Sequence, residues 1–138
     1  MTRMRTLVAG HACGPVLKLQ GPLSLWGGVD LRTGEIVDQS HPQSGTTINN
    51  CVLTMSMARG SSSSSSALVE LARAGAGPCA IILGQYDPIL VVGALVAARL
   101  YRAALPVILA PTEDLDELAS GIHVSVDALE EQVILTRL

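Results

Sequence analysis

Six consecutive serines, Ser61 to Ser66, stand between two segments built for a core. Cys51-Val52-Leu53-Thr54-Met55 before them is strand-like, and Ala67-Leu68-Val69-Glu70-Leu71-Ala72 after them is helix-like. Arg59-Gly60 immediately precedes the tract. A serine run ordinarily makes a disordered linker, because it cannot bury enough apolar surface to offset the cost of ordering. Linkers join polar segments, however, and this run joins two apolar ones. The other reading is an anion site. A glycine and small hydroxyls at a helix entrance present free backbone N–H groups, hydroxyl donors and the positive end of the helix dipole together. On these residues alone both readings stay open.

The surrounding pattern is that of a mixed fold. Arg5 to Ala9 reads as a strand, Gly10 to Gly14 as punctuation, and Pro15 to Leu19 as a continuation. Thr33-Gly34 is expected to make a tight turn between two short extended pieces within Val29 to Val37. His41-Pro42 and Ser44-Gly45 mark a loop, and Asn50 to Ser56 is a strand aimed at the serines. Ala67, Leu68, Leu71 and Ala72 share one helical face, and Gly75 and Gly77-Pro78 end that helix. Cys79 to Leu83 is a buried strand. Asp87-Pro88 opens a second helix with an N-cap carboxylate and a first-turn proline. This helix, running to about Ala103, is apolar almost all round as far as Ala98, which calls for cover on two sides. Pro106 to Ala110, Ile122 to Val126 and Val133 to Leu135 are further strands, with a helical turn from Thr112 to Leu118 capped by Thr112. A β-rich first part followed by strand–helix–strand–helix–strand gives an α+β or α/β domain whose sheet curls over two helices.

Composition removes several function classes. With 138 residues the chain is expected to be one domain, 1–138, and with no Phe, one Trp and two Tyr its core must be aliphatic. A formal net charge of -3 without a basic run argues against nucleic acid, and the lack of aromatic platforms argues against single-strand binding. No segment resembles a secretion signal, and the longest apolar stretch, Ile89 to Ala98, is far short of the ~20 residues of a membrane span. Cys13, Cys51 and Cys79 form no CxxC pair, so they read as thiols of a reducing, cytoplasmic protein rather than zinc or cluster ligands. His11, His41 and His123 are scattered, and no nucleophile elbow surrounds the serines. Gly60 lacks the spacing of a phosphate-binding loop. The double glycine of Trp26-Gly27-Gly28-Val29-Asp30 reads either as a close backbone approach or as a tight turn, with Asp30 as a turn cap.

Four segments carry a resemblance. Leu25-Trp26-Gly27-Gly28-Val29-Asp30, Thr33-Gly34-Glu35-Ile36-Val37-Asp38, His41-Pro42 and Arg59-Gly60-Ser61-Ser62-Ser63 follow one another as in the small subunit of the aconitase X family. The resemblance spans essentially the whole chain. It implies an aconitase-type swivelling β/β/α domain with a curled, barrel-like sheet packed with two main helices. It also implies docking on a separate large subunit whose cysteines hold an iron or iron–sulfur centre, with no metal held by this chain. The family includes archaeal phosphomevalonate dehydratases and bacterial cis-3-hydroxy-L-proline dehydratases, and Arg-Gly-Ser-Ser-Ser is closer to the bacterial type. The serine after the junction glycine, Ser61, takes the role of catalytic base by this resemblance. Arg59, Gly60, Ser62 and Ser63 take the role of substrate binding, although in aconitases the arginine follows the serines.

Magnitudes attach a condition to that role. Serine is a poor base, and a helix N-terminus contributes at most ~2 kcal/mol, when one pKa unit is about 1.36 kcal/mol. Preorganised donors contribute roughly 2.7–4 kcal/mol for each important one. The lone chain is therefore expected to be inactive. The resemblance implies a dehydration of cis-3-hydroxy-L-proline to Δ1-pyrroline-2-carboxylate, with a metal of the large subunit acting on the departing hydroxyl. Dehydration of phosphomevalonate and a non-catalytic interaction module are the two other readings.

Overall fold

A computed structural model describes residues 3–58 and 62–138. Among these, seven strands form one sheet in the order β1-β5-β4-β3-β2-β6-β7. The strands are β1 (Arg5–Val8), β2 (Gly10–Lys18), β3 (Val52–Met55), β4 (Ala80–Leu83), β5 (Val107–Leu109), β6 (His123–Ala128) and β7 (Val133–Arg137). Two main helices, α2 (Ser64–Ala74) and α3 (Pro88–Tyr101), connect β3 to β4 and β4 to β5. A short irregular turn of helix, α1 (Leu25–Gly28), precedes them, and α4 (Thr112–Asp116) follows β5. The chain is thus an α/β half-barrel, with β2 to β5 parallel and antiparallel strands at both flanks.

Residue alternation explains why the middle of the sheet is buried on both faces. Leu53, Ile81, Leu83 and Val107 point to the side covered by α2 and α3, where Leu68, Leu71, Leu90 and Ala94 meet them. Val52, Ala80, Ile82 and Ile108 point into the concave side, which the curl closes with Val124, Val126, Leu115 and Leu118. The core is aliphatic throughout, as a chain without Phe requires.

The Gly10–Gly14 segment corrects the expectation of a break. It belongs to a nine-residue strand, β2. The first part of β2 pairs antiparallel with β6, from Gly10↔Ala128 to Pro15↔His123. The last part pairs parallel with β3, from Val16↔Val52 to Lys18↔Thr54. Gly14 and Pro15 stand where the partner changes. A Cβ at Gly14 would lie 2.6 Å from the Asn50 carbonyl oxygen, so the glycine permits close approach rather than ending the strand. Pro15 donates no ladder bond, which is tolerable where one ladder hands over to another.

Both helix boundaries on the main pair follow their signals. Gly75 closes α2 in the left-handed region at φ 67°, its N–H bonded to the last turn. Asp87 caps α3 by accepting from the Ile89 N–H at 2.8 Å. The α4 expectation is corrected: Pro111 occupies the N-cap, Thr112 is the first helical residue, and no side chain caps the turn. Within the chain α3 is covered on one side only. Leu90, Gly93, Ala94 and Ala97 are buried, whereas Val92, Leu95 and Leu100 are 51%, 49% and 62% exposed.

Candidate active site

The parallel strands β3 and β4 end side by side, and the Gly84 N–H bonds the Met55 carbonyl at 2.9 Å to hold the two ends together. The carboxyl ends of parallel strands are where an α/β sheet leaves room for a ligand. From β3 the chain runs through Ser56, Met57 and Ala58 towards the serines. Arg59, Gly60 and Ser61, expected as substrate contacts and catalytic base, lie outside the described residues. Ser62 follows in a turn and is exposed, and Ser63 is the half-buried N-cap of α2.

The tract resolves in favour of structure from Ser62 onward. Ser64, Ser65 and Ser66 are already helical, so α2 begins three residues before the apolar pattern does. The Ala67 N–H bonds the Ser63 carbonyl at 3.0 Å, and the Ser65 hydroxyl donates to the Ser62 carbonyl at 3.2 Å. Three features leave this helix start fit for an anion. Its first turn contains no acidic residue, and the Ser63 side chain makes no cap bond to it. The Ser64 hydroxyl is buried and has no hydrogen-bond partner among the described residues. Backbone N–H groups of a first turn need partners from elsewhere, and the dipole favours a negative one by ~0.3–1 kcal/mol at an exposed end.

Packing fixes where this helix end points. Gly93 of α3 sits against Ser65, and a Cβ there would lie 3.0 Å from the Ser65 carbonyl oxygen and 3.1 Å from its Cα. A larger residue would separate the two helices at the first turn of α2. The inner face of α2, Ala67, Leu68 and Leu71, is essentially inaccessible to solvent and anchors the rest. On its outer face Glu70 and Arg73 pair one turn apart, with Arg73 Nε 2.9 Å from the carboxylate. The guanidinium holds the Glu70 carboxyl below its ordinary value by hydrogen bonding.

Two shallow cavities lie beyond the carboxyl ends of β3 and β4. One, of about 180 Å³, is lined by Met57, Ala58, Gln85, Tyr86, Asp87 and Pro88. The other, of about 200 Å³, includes Lys18, Thr54, Ser56, Thr112 and Asp116. Sequence reading missed the β4–α3 loop as part of this end of the molecule. The signal was present, since a strand ending at Leu83 beside one ending at Met55 brings Gln85 and Tyr86 next to Met57.

The other singled-out residues have structural work. Asp30 caps a turn: its carboxylate accepts from Arg32 N–H at 2.9 Å, and its carbonyl from Gly34 N–H at 2.8 Å. Gly34 closes that turn at φ 80°, and Val29 bridges to Ile36 as the two extended pieces require. Gly27, at φ 87°, has open space around it and serves a tight turn, whereas a Cβ at Gly28 would lie 3.2 Å from Leu23 Cδ1, so the second glycine permits a close approach. His41 is buried with both ring nitrogens engaged. Nδ1 accepts from Gln43 N–H and Nε2 donates to the Gly21 carbonyl, each at 3.0 Å.

Among the described residues no three His, Cys, Asp or Glu side chains converge as a metal-ligand set. The described residues do not fit an iron or iron–sulfur site.

The fold as a whole has counterparts. Residues 1–135 match the aconitase X swivel domain, and the chain belongs to that family. It is 46% identical over 116 residues to a cis-3-hydroxy-L-proline dehydratase of Pseudomonas aeruginosa, covering 84% of this chain and 20% of the relative. It is 36% identical over 130 residues to the phosphomevalonate dehydratase small subunit of Methanothermobacter thermautotrophicus, covering 94% of this chain and 95% of that one. The structure of Thermococcus kodakaraensis aconitase X superposes with a TM-score of 0.84 at 29% identity, covering 99% of this chain and 96% of that one. The chain therefore spans about a fifth of the hydroxyproline dehydratases that it matches, and nearly the full length of the archaeal small subunit.

Proposed function

We propose that this chain is the swivel subunit of a two-chain hydro-lyase that dehydrates cis-3-hydroxy-L-proline to Δ1-pyrroline-2-carboxylate in the cytoplasm. The observation that carries the reading is the 46% identity over 116 residues to the Pseudomonas aeruginosa enzyme of that name. The start of α2 adds support, with donors and no carboxylate in its first turn. Ser61 is the base that takes the proton from the carbon α to the carboxylate. Arg59, the Gly60 amide and the Ser62 and Ser63 hydroxyls hold the carboxylate and the developing charge. The large subunit closes over this surface and contributes the iron or iron–sulfur centre, whose Lewis acidity would serve the departing hydroxyl there.

A second reading has its own observation. The match to a phosphomevalonate dehydratase small subunit covers almost all of both chains, as a free-standing subunit would. One experiment separates the two. The protein is co-purified with its large subunit and offered cis-3-hydroxy-L-proline and phosphomevalonate in turn. Consumption of the hydroxyproline alone is expected, and consumption of the phosphorylated compound alone overturns the proposal. Full turnover by the isolated chain would refute the two-chain arrangement.

A further inference from the structure

At the amino-terminal side of the sheet, away from the serine helix, β2 and β6 bring together a second group of reactive side chains. His11 and Cys13 are two residues apart on β2 and so share its outer face. His11 lies directly opposite Asp127 of β6, and Cys13 opposite Ser125. The Asp127 carboxylate is 2.5 Å from His11 Nδ1, and His11 Nε2 is 3.6 Å from the Cys13 sulfur. A carboxylate can only accept, so Nδ1 carries the proton and Nε2 presents its lone pair to the thiol. Nucleophile, base and orienting carboxylate thus stand in line. The three are open to solvent: His11 and Asp127 side chains are 60% and 40% exposed, and Cys13 is exposed too.

We propose that Cys13 is a thiol-exchange site, activated by His11 and positioned by Asp127, whose reactant is a low-molecular-weight disulfide. The Cys13 proton passes to His11 Nε2, and the thiolate attacks one sulfur of the disulfide. A Cys13–sulfur bond forms as the reactant's S–S bond breaks. The leaving thiolate takes the proton back from His11, so Cys13 is oxidised to a mixed disulfide and one equivalent of thiol is released.

The neighbouring thiols explain why the product persists. The Cys79 sulfur donates to the Cys13 carbonyl at 3.6 Å, so this thiol is engaged with the backbone of β2. Burial pushes the Cys79 thiol up to about 11, which keeps it protonated and a poor attacking group near neutrality. Cys51, also raised by burial, points its thiol at the Asn49 carbonyl 3.5 Å away.

The test uses the intact protein and the chromogenic disulfide dithiobis(nitrobenzoate) at neutral pH, with peptide mass mapping of the product. One thiol per chain, at Cys13, should react roughly tenfold or more faster than a cysteine in an unstructured peptide. His11→Ala should fall to the peptide rate and recover in part when imidazole is added. Asp127→Asn should be slowed, and Asp127→Glu should regain part of the loss. Reaction at Cys13 no faster than the peptide, an unchanged rate in His11→Ala, or a fast thiol at Cys51 or Cys79 would each overturn the proposal. None of these readouts depends on dehydratase activity.

Discussion

The two ends of this sheet hold reactive hydroxyls and thiols in different ways. At the carboxyl ends of β3 and β4, the serine helix begins with no acidic residue in its first turn. That arrangement favours an anion but, among the described residues, does not contain a complete set of reacting groups. Beyond the amino ends of β3 and β4, the first half of β2 and β6 assemble thiol, imidazole and carboxylate within one chain. The difference lies in how each is built. A helix N-terminus offers partial charge from backbone geometry, worth at most ~2 kcal/mol, and so depends on what docks against it. A cross-strand cluster is complete as soon as the register is set.

The largest expected effect separates the two ends outright. Ser61→Ala in the assembled enzyme should lower kcat by roughly 10²–10⁴-fold, the range of general base catalysis, while leaving the Cys13 exchange rate unchanged. Cys13→Ser should do the reverse. If either variant affected both readouts, the two ends would not be independent.

Gly93→Ala probes the mounting of the serine helix. Its Cβ would press on the Ser65 backbone, and the overpacking should cost about 1–3 kcal/mol in urea unfolding, with a loss of turnover in the complex. Cys13 reactivity should remain at the wild-type level, because Gly93 packs on the Ser65 backbone of α2 whereas Cys13 faces Ser125 of β6. Next in size is Asp87→Ala, which removes the bond to Ile89 N–H and should cost about 1 kcal/mol.

The smallest effect is one of pH. The Cys79 thiol is raised from 9.0 to about 11 by burial. An unfolded chain loses that proton near its ordinary value, whereas the folded chain retains it to higher pH. The contribution to stability is therefore complete below pH 9 and is lost as pH rises towards about 11. Unfolding midpoints measured across that window should fall in wild type and fall less in Cys79→Ala. Alkylation at pH 8 should label Cys13 and spare Cys79.

Much of the carboxyl end was legible along the chain. The apolar run Val52–Met55, the 3.6-residue period from Ala67, the stop at Gly75 and the Asp87-Pro88 start are local signals, and a strand and two helices form there, with α2 starting three residues early at Ser64. Glycine was less legible. Gly10 and Gly14 read as breaks, yet they sit within β2, because Gly14 answers a nearby backbone and not a turn. Thr112 looked like a cap and is the first helical residue instead, since Pro111 already supplies the extended conformation the N-cap needs. The three histidines looked scattered. One of them, His11, meets an aspartate 116 residues away.

Local order along the chain determined the aliphatic core, the strand–serine–helix junction and the sequence of elements, because period, caps and turns act over a few neighbouring residues. Tertiary structure alone decided that β2 would serve two partners, that α2 and α3 would meet at Gly93, and that His11, Cys13 and Asp127 would stand together. Those contacts depend on sheet register, which side-chain packing sets across the whole domain and which no local spacing encodes.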